Sequence, residues 1–137
     1  MAMIKAVFPP FTAEEVAELP EEGHEWKFGE QATTFAWGGF SDDVLTTLLM
    51  DRLTILTEDK CSGLEDWLPT EQICTQSLRF GSGLCDGDYG APLIVNGSVV
   101  AGINMYNSCG GPASPPDRFF NIVPMIPWIL NHIKPSA

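Results

Sequence analysis

Residues 91–106 read APLIVNGSVVAGINMY, two apolar, β-branched runs on either side of Asn96-Gly97. Both central residues of a type I′ turn need positive φ, and Asn-Gly supplies them at low steric cost. The stretch therefore predicts a β-hairpin, and the rest of the chain must give that hairpin neighbours. QATTFAWG from Gln31 is a run of β-formers closed by glycine. LLMDRLTILT alternates imperfectly, with Leu49, Leu53 and Ile55 as core candidates. QICTQS and RFFNIV add two further short strands, and CGGPASPPD is a loop by composition. PMIPWILNHIKPSA closes the chain as a helix. Pro124 and Pro127 fit only its first turn, where amide hydrogens lack intrahelical acceptors, and Pro135 stops it. Ile126, Ile129, Leu130 and Ile133 fall at helical spacing and predict one apolar face. Many short strands with one terminal helix indicate an all-β barrel.

Residues 1–30 differ from the remainder. They are rich in Pro and Glu and hold seven of the chain's 18 acids between Glu14 and Glu30. This is an acidic, extended connecting segment on the surface, with one helical turn capped by Thr12 and Glu15. A solvated face is the plain reading of its charge, and a docking strip for a basic partner the sharper one. Residues 31–137 then form the barrel domain. At 137 residues the chain suits one domain.

The formal charge of −11 argues against nucleic acid and anionic membranes as partners, since both demand a basic face. No apolar run reaches the length of a membrane span, and the start lacks the apolar core of a signal peptide. Cys61, Cys74, Cys85 and Cys109 form no closely spaced pairs and lie far from His24 and His132 in sequence. That excludes the usual zinc spacing and favours two disulfides, with three pairings open. No metal or cofactor is expected. Disulfides, together with the sequon at Asn96, point to secretion.

LCDGDYGAPLIV, residues 84–95, carries the chemical question. Its glycines and Asp88 resemble the nucleophile loop of chymotrypsin-like serine proteases, Gly-Asp-Ser-Gly-Gly-Pro, with Tyr89 in the serine's place and Ala91 in a glycine's. Four more stretches agree in order. EEGHEWKFGEQATTFAWGGF is similar to the segment entering that family's Gly-Trp-Gly, with Ala36 as the first glycine. Cys61 and Cys74 resemble the pair flanking its intermediate helix. VVAGINMYNSC resembles the strand lining the substrate cleft, and RFFNIVPMIPWILNHI the last strand and helix. The chain thus resembles the C-terminal half of an S1-type protease domain, of an insect-like non-catalytic kind. The implied fold is a six-stranded antiparallel Greek-key barrel, one of the family's two, with a C-terminal helix. The implied disulfides are Cys61–Cys74 and Cys85–Cys109.

The resemblance also implies roles. Gly87 matches the glycine whose amide stabilises the oxyanion. Asp88 matches the aspartate that pairs with a freed N-terminal amine in activated proteases. Gly83 matches the floor of the primary specificity pocket. Met105, Tyr106 and Asn107 stand for the usual Ser-Trp-Gly of the cleft strand, and Asp117 aligns with a pocket-wall glycine. The family's mechanism needs a serine, a histidine to take its proton and an aspartate to orient the histidine. The latter two belong to the N-terminal half, and neither His24 nor His132 corresponds to the triad's. A phenol is mostly protonated at neutral pH, and its oxygen lies further from the backbone than a serine's. Tyr89 therefore does not inherit the serine's chemistry, and its ring is expected to fill the scissile-bond space. The sequence reads as a catalytically inactive binding or regulatory module. Its expected partner is a protein: the missing N-terminal barrel, a protease, a receptor or a second copy of the chain. The alternatives are a fragment without independent function and a serine endopeptidase by family alone.

Overall fold

The computed structural model describes residues 2–5, 10–38, 47–79, 82–85, 87–110 and 115–133. Asn96 and Gly97 both take left-handed backbone, at φ 53° and 78°, and turn the chain between β4 (Pro92–Val95) and β5 (Val99–Tyr106). Val95 pairs with Val99, so Ser98 is a third loop residue beyond the two expected. β1 (Gln31–Ala36), β2 (Leu49–Ile55) and β3 (Gln72–Ser77) precede this hairpin, and β6 (Asp117–Asn121) follows it.

The six strands close into a barrel in the order β1-β2-β3-β6-β5-β4, every neighbouring pair antiparallel. The chain crosses between β3 and β4, which places β6 beside β3 and returns β4 to β1. Closure removes the open sheet edges on which other chains could pair. Alternate residues point inward, as the period of a strand requires. Ala32, Leu53, Ile55, Ile73, Leu93, Val95, Ala101 and Phe119 form the core together with Leu84 from a connecting loop. The all-β Greek-key barrel expected from the sequence is the fold observed.

After β6, Val123–Met125 makes one 3₁₀ turn and Ile126–His132 forms α1, with a proline in the first turn of each. Ile122, Ile126 and Ile129 pack together against Val100, Met125 and Trp128. Leu130 and Ile133, expected on the same apolar face, are exposed. A helix of this length presents only one narrow stripe to the barrel, and Ile122, just before it, completes that stripe. The expected stop at Pro135 and part of the CGGPASPPD loop lie outside the described residues.

The acidic segment is mostly exposed but not detached. Glu15 accepts a hydrogen bond from the Thr12 amide at 2.9 Å, closing the expected turn over Ala13–Glu15. Glu18 donates its amide to Ser98 and accepts from Val100, which ties the segment to β5. Trp26 packs against the core, and its indole N–H donates to Asn121 Oδ1 at 3.0 Å. Both disulfides, Cys61–Cys74 and Cys85–Cys109, have the pairing the resemblance implies.

Phe119 is fully buried at the centre of the core. Phe119→Ala should lower the free energy of unfolding by about 3–5 kcal/mol, read from urea denaturation without reductant.

Candidate functional site

The loop carrying Tyr89 is a succession of tight turns. The Asp88 amide donates to Cys85 O and the Ala91 amide to Asp88 O, each at 3.0 Å. Gly90 donates to Asn104 O, and Asn104 donates to Ala91 O, so β5 holds the far side of the loop. Gly87 has φ 92°, and a Cβ there would lie 3.3 Å from the Cα of Gly38. A side chain at 87 would thus be strained twice, by its dihedral and by its neighbour.

Asp88 is buried, so its carboxylate requires partners. Two main-chain amides supply them: Gly38 donates to Oδ1 at 2.8 Å and Cys85 to Oδ2 at 2.9 Å. The first draws the end of β1 onto the loop, and the second closes the loop on itself. The carboxylate is satisfied in this arrangement without an ammonium group.

A second buried carboxylate lies nearby. Asp117, at the start of β6, accepts from the Leu84 amide at 2.9 Å through Oδ2. Through Oδ1 it accepts from the Ser108 amide at 3.0 Å and the Ser108 hydroxyl at 3.1 Å. Burial pushes its pKa above the ordinary 3.8, outweighing the hydrogen bonds from Leu84 and Ser108 that pull it down, while the charge of Asp51 adds to the rise. Asp51 itself receives the hydroxyls of Ser77 and Ser82, each at 3.1 Å. The three carboxylates of Asp51, Asp88 and Asp117 therefore grip the stretch from Ser82 to Cys85.

Gly83 sits inside that grip. A Cβ at this position would meet Gly110 Cα at 2.9 Å and Asp117 Oδ2 at 3.1 Å. A side chain there would press on the Gly110 backbone and the Asp117 carboxylate.

Tyr89 is 60% exposed. Neither histidine serves it. His24 packs edge-on against Trp26 at 4.4 Å, and His132 Nδ1 lies 2.7 Å from Trp128 O. Along the cleft strand, Met105 is half-buried and Tyr106 lies at the exposed edge, its ring 3.9 Å from the guanidinium carbon of Arg118. Asn107 donates to Cys85 O at 3.0 Å and so bridges β5 to the Tyr89 loop. Asn96 is exposed on its turn. Among the described residues no group of His, Cys, Asp or Glu is arranged to hold a metal ion.

Sequence reasoning missed three contributors. Gly38 is the amide that satisfies Asp88, and nothing in its flanking residues signals that role. Asn104 is buried and donates through Nδ2 to Arg118 O at 3.3 Å. Arg118 is buried on β6, and its Nη1 donates to Glu65 O at 2.9 Å and Gln72 Oε1 at 3.2 Å. A lone arginine inside an apolar strand was the available signal for the last.

Barrel, paired cysteines and the turn around Asp88 together define a chymotrypsin-like barrel. The trypsin family model matches residues 2–129, and the chain belongs to that family. It is 28% identical over 105 residues to chymotrypsin-2 of Vespa crabro, covering 75% of this chain and 47% of that protein. It is 29% identical over 129 residues to prostatic glandular kallikrein-6 of Rattus norvegicus, covering 87% of this chain and 46% of that protein. The chain thus spans about half the length of these curated relatives. Among solved structures, a scabies mite inactivated protease paralogue, S-I1, superposes with a TM-score of 0.69 at 26% identity, over 85% of this chain and 51% of that one. Human heparin binding protein shares the fold, with a TM-score of 0.72 at 23% identity, over 93% of this chain and 56% of that one.

Two expectations follow from the carboxylates. Asp88→Ala strips the acceptor from two amides and should cost about 3 kcal/mol of unfolding free energy in urea; a loss below about 1 kcal/mol would mean water satisfies both amides equally well. Asp117 has a folded-state pKa above its unfolded value. Its contribution is therefore fully present below about pH 3.8 and is lost as pH rises through the folded pKa. Measured in parallel denaturations, Asp117→Asn should gain stability relative to the native chain across that window and stay level above it. A difference independent of pH would refute the shift.

Proposed function

We propose that this chain is a non-catalytic member of the trypsin family that acts by binding protein partners. The observation that carries the reading is Tyr89. A tyrosine occupies the nucleophile position, its ring is exposed, and no histidine of the described residues packs against it. A phenol without a local base is a poor nucleophile at neutral pH, and its reach misplaces the oxygen relative to the oxyanion donors.

Two further features support the reading. Asp88 is satisfied by Gly38 and Cys85, an arrangement that does not call for the N-terminal amine on which an activated protease depends. Asp117 and Gly110 crowd Gly83, which leaves the pocket-floor position without space for a selecting side chain. The same barrel occurs in a scabies mite protein named an inactivated protease paralogue, which agrees with this reading. Secretion fits the two disulfides and the family. An oxidising compartment is where such bonds persist.

The test is hydrolysis of chymotrypsin-type and trypsin-type peptide substrates, together with labelling by a serine-reactive phosphonate. The expected result is no turnover above buffer and no label at residue 89. Within these 137 residues Tyr89→Ser should also remain inactive, because His24 and His132 pack against Trp26 and Trp128 and not against residue 89. Turnover that the phosphonate blocks would overturn the proposal.

A further inference from the structure

A cleft of about 460 Å³ lies on another part of the barrel and shares no lining residue with the Tyr89 loop. Four separate stretches build it: residues 23–26 of the acidic segment, the end of β2 with the turn after it, the loop entering β3, and the chain leaving β6. Trp26 and Trp67, both half-buried, line it together with Pro69 and Pro124. His24 braces Trp26 edge-on.

The polar groups at the cleft divide into two kinds. The amides are committed. Gln72 accepts from Arg118 and donates to Asp66 O, and Asn121 Oδ1 accepts from both the Trp26 indole and the Val123 amide. The carboxylates are not: among the described residues, Glu25 and Glu58 line the cleft with no side-chain hydrogen bond or ion pair. Two indoles and two exposed, uncommitted glutamates thus line one concavity.

We infer that this cleft binds an arginine side chain presented by an exposed segment of a basic protein. A guanidinium matches both features at once. Its flat face stacks on an indole, and its edge donates two parallel hydrogen bonds to a carboxylate. A lysine ammonium meets the charge but not the planar geometry, and a neutral side chain leaves the carboxylates unanswered. The chain's net charge of −11 favours encounter with a basic partner and disfavours an acidic one. The sharper reading of the acidic segment, a docking strip, thereby acquires a location at Glu25, beside His24 and Trp26. This inference holds whether or not the Tyr89 loop is catalytic.

The probe is the acetylated, amidated peptide Gly-Arg-Gly-Arg-Gly, titrated into ¹⁵N-labelled protein while the four indole N–H resonances are followed. Its counterpart carries citrulline, which keeps the shape and loses the charge. The arginine peptide should shift Trp26 and Trp67 saturably and leave Trp37 and Trp128 in place. The citrulline peptide should bind at least about five-fold more weakly. Trp67 belongs to neither apolar cluster, so Trp67→Ala should keep the native amide spectrum and weaken binding several-fold. Glu58→Gln should weaken it similarly, and Glu14→Gln, on the exposed turn outside the cleft, should not. Equal responses to the two peptides, equal losses from Glu58→Gln and Glu14→Gln, or no saturable shift at Trp67 would each overturn the inference.

Discussion

Three pairings between β1 and β4, from Ala32–Val95 to Thr34–Leu93, turn a six-stranded ribbon into a closed barrel. Much else depends on that seam. It removes two edges that would otherwise expose unpaired amides and carbonyls. It also brings the end of β1 within reach of the loop before β4, and so lets the Gly38 amide meet the Asp88 carboxylate. The inward side chains are small where strands approach closely, as at Ala32 and Ala101, and large at Phe119, which fills the centre. A closed barrel of this kind tolerates change at its rim because, among the described residues, its core draws mainly on the strands, with Leu84 its one loop member.

The rim shows what that tolerance permits. The turn that carries Tyr89 is held by interactions internal to the chain. Asp88 is bonded to backbone on both oxygens, Asp117 accepts from the Leu84 amide beside Gly83, and Asn107 bridges to Cys85. Each of these costs desolvation of a polar group and recovers it through hydrogen bonds. Together they brace the loop on both sides of Tyr89, whose side chain is exposed. The preserved glycines are then explained by backbone geometry, at Gly87 by a positive φ beside Gly38 and at Gly83 by the approach of Gly110.

The acidic segment and the barrel are coupled rather than consecutive. Glu18 joins the start of β5 through backbone hydrogen bonds, and Trp26 anchors to both the core and Asn121. Anchoring one tryptophan this way leaves its neighbours His24 and Glu25 at a cleft that the barrel alone would not form. Surface charge and a fixed aromatic wall are thus placed together by the same tertiary contact.

The local elements were legible in the sequence. Asn96-Gly97 specified the hairpin because few residues accept positive φ, and Pro124 and Pro127 marked the start of the terminal turns because proline lacks an amide hydrogen. The order of motifs, read through the family resemblance, placed both disulfides. Long-range polar pairing was not legible. Gly38 meets Asp88 across 50 residues, and Leu84 meets Asp117 across 33. Helix burial was also decided late: Ile122 and not Leu130 completed the stripe, because the barrel wall determined which side of a short helix was covered. The sequence by itself determined the elements, through dihedral preference and apolar period. Only the tertiary structure decided which buried charge found which donor, since a carboxylate takes whichever amides the closed barrel brings to it.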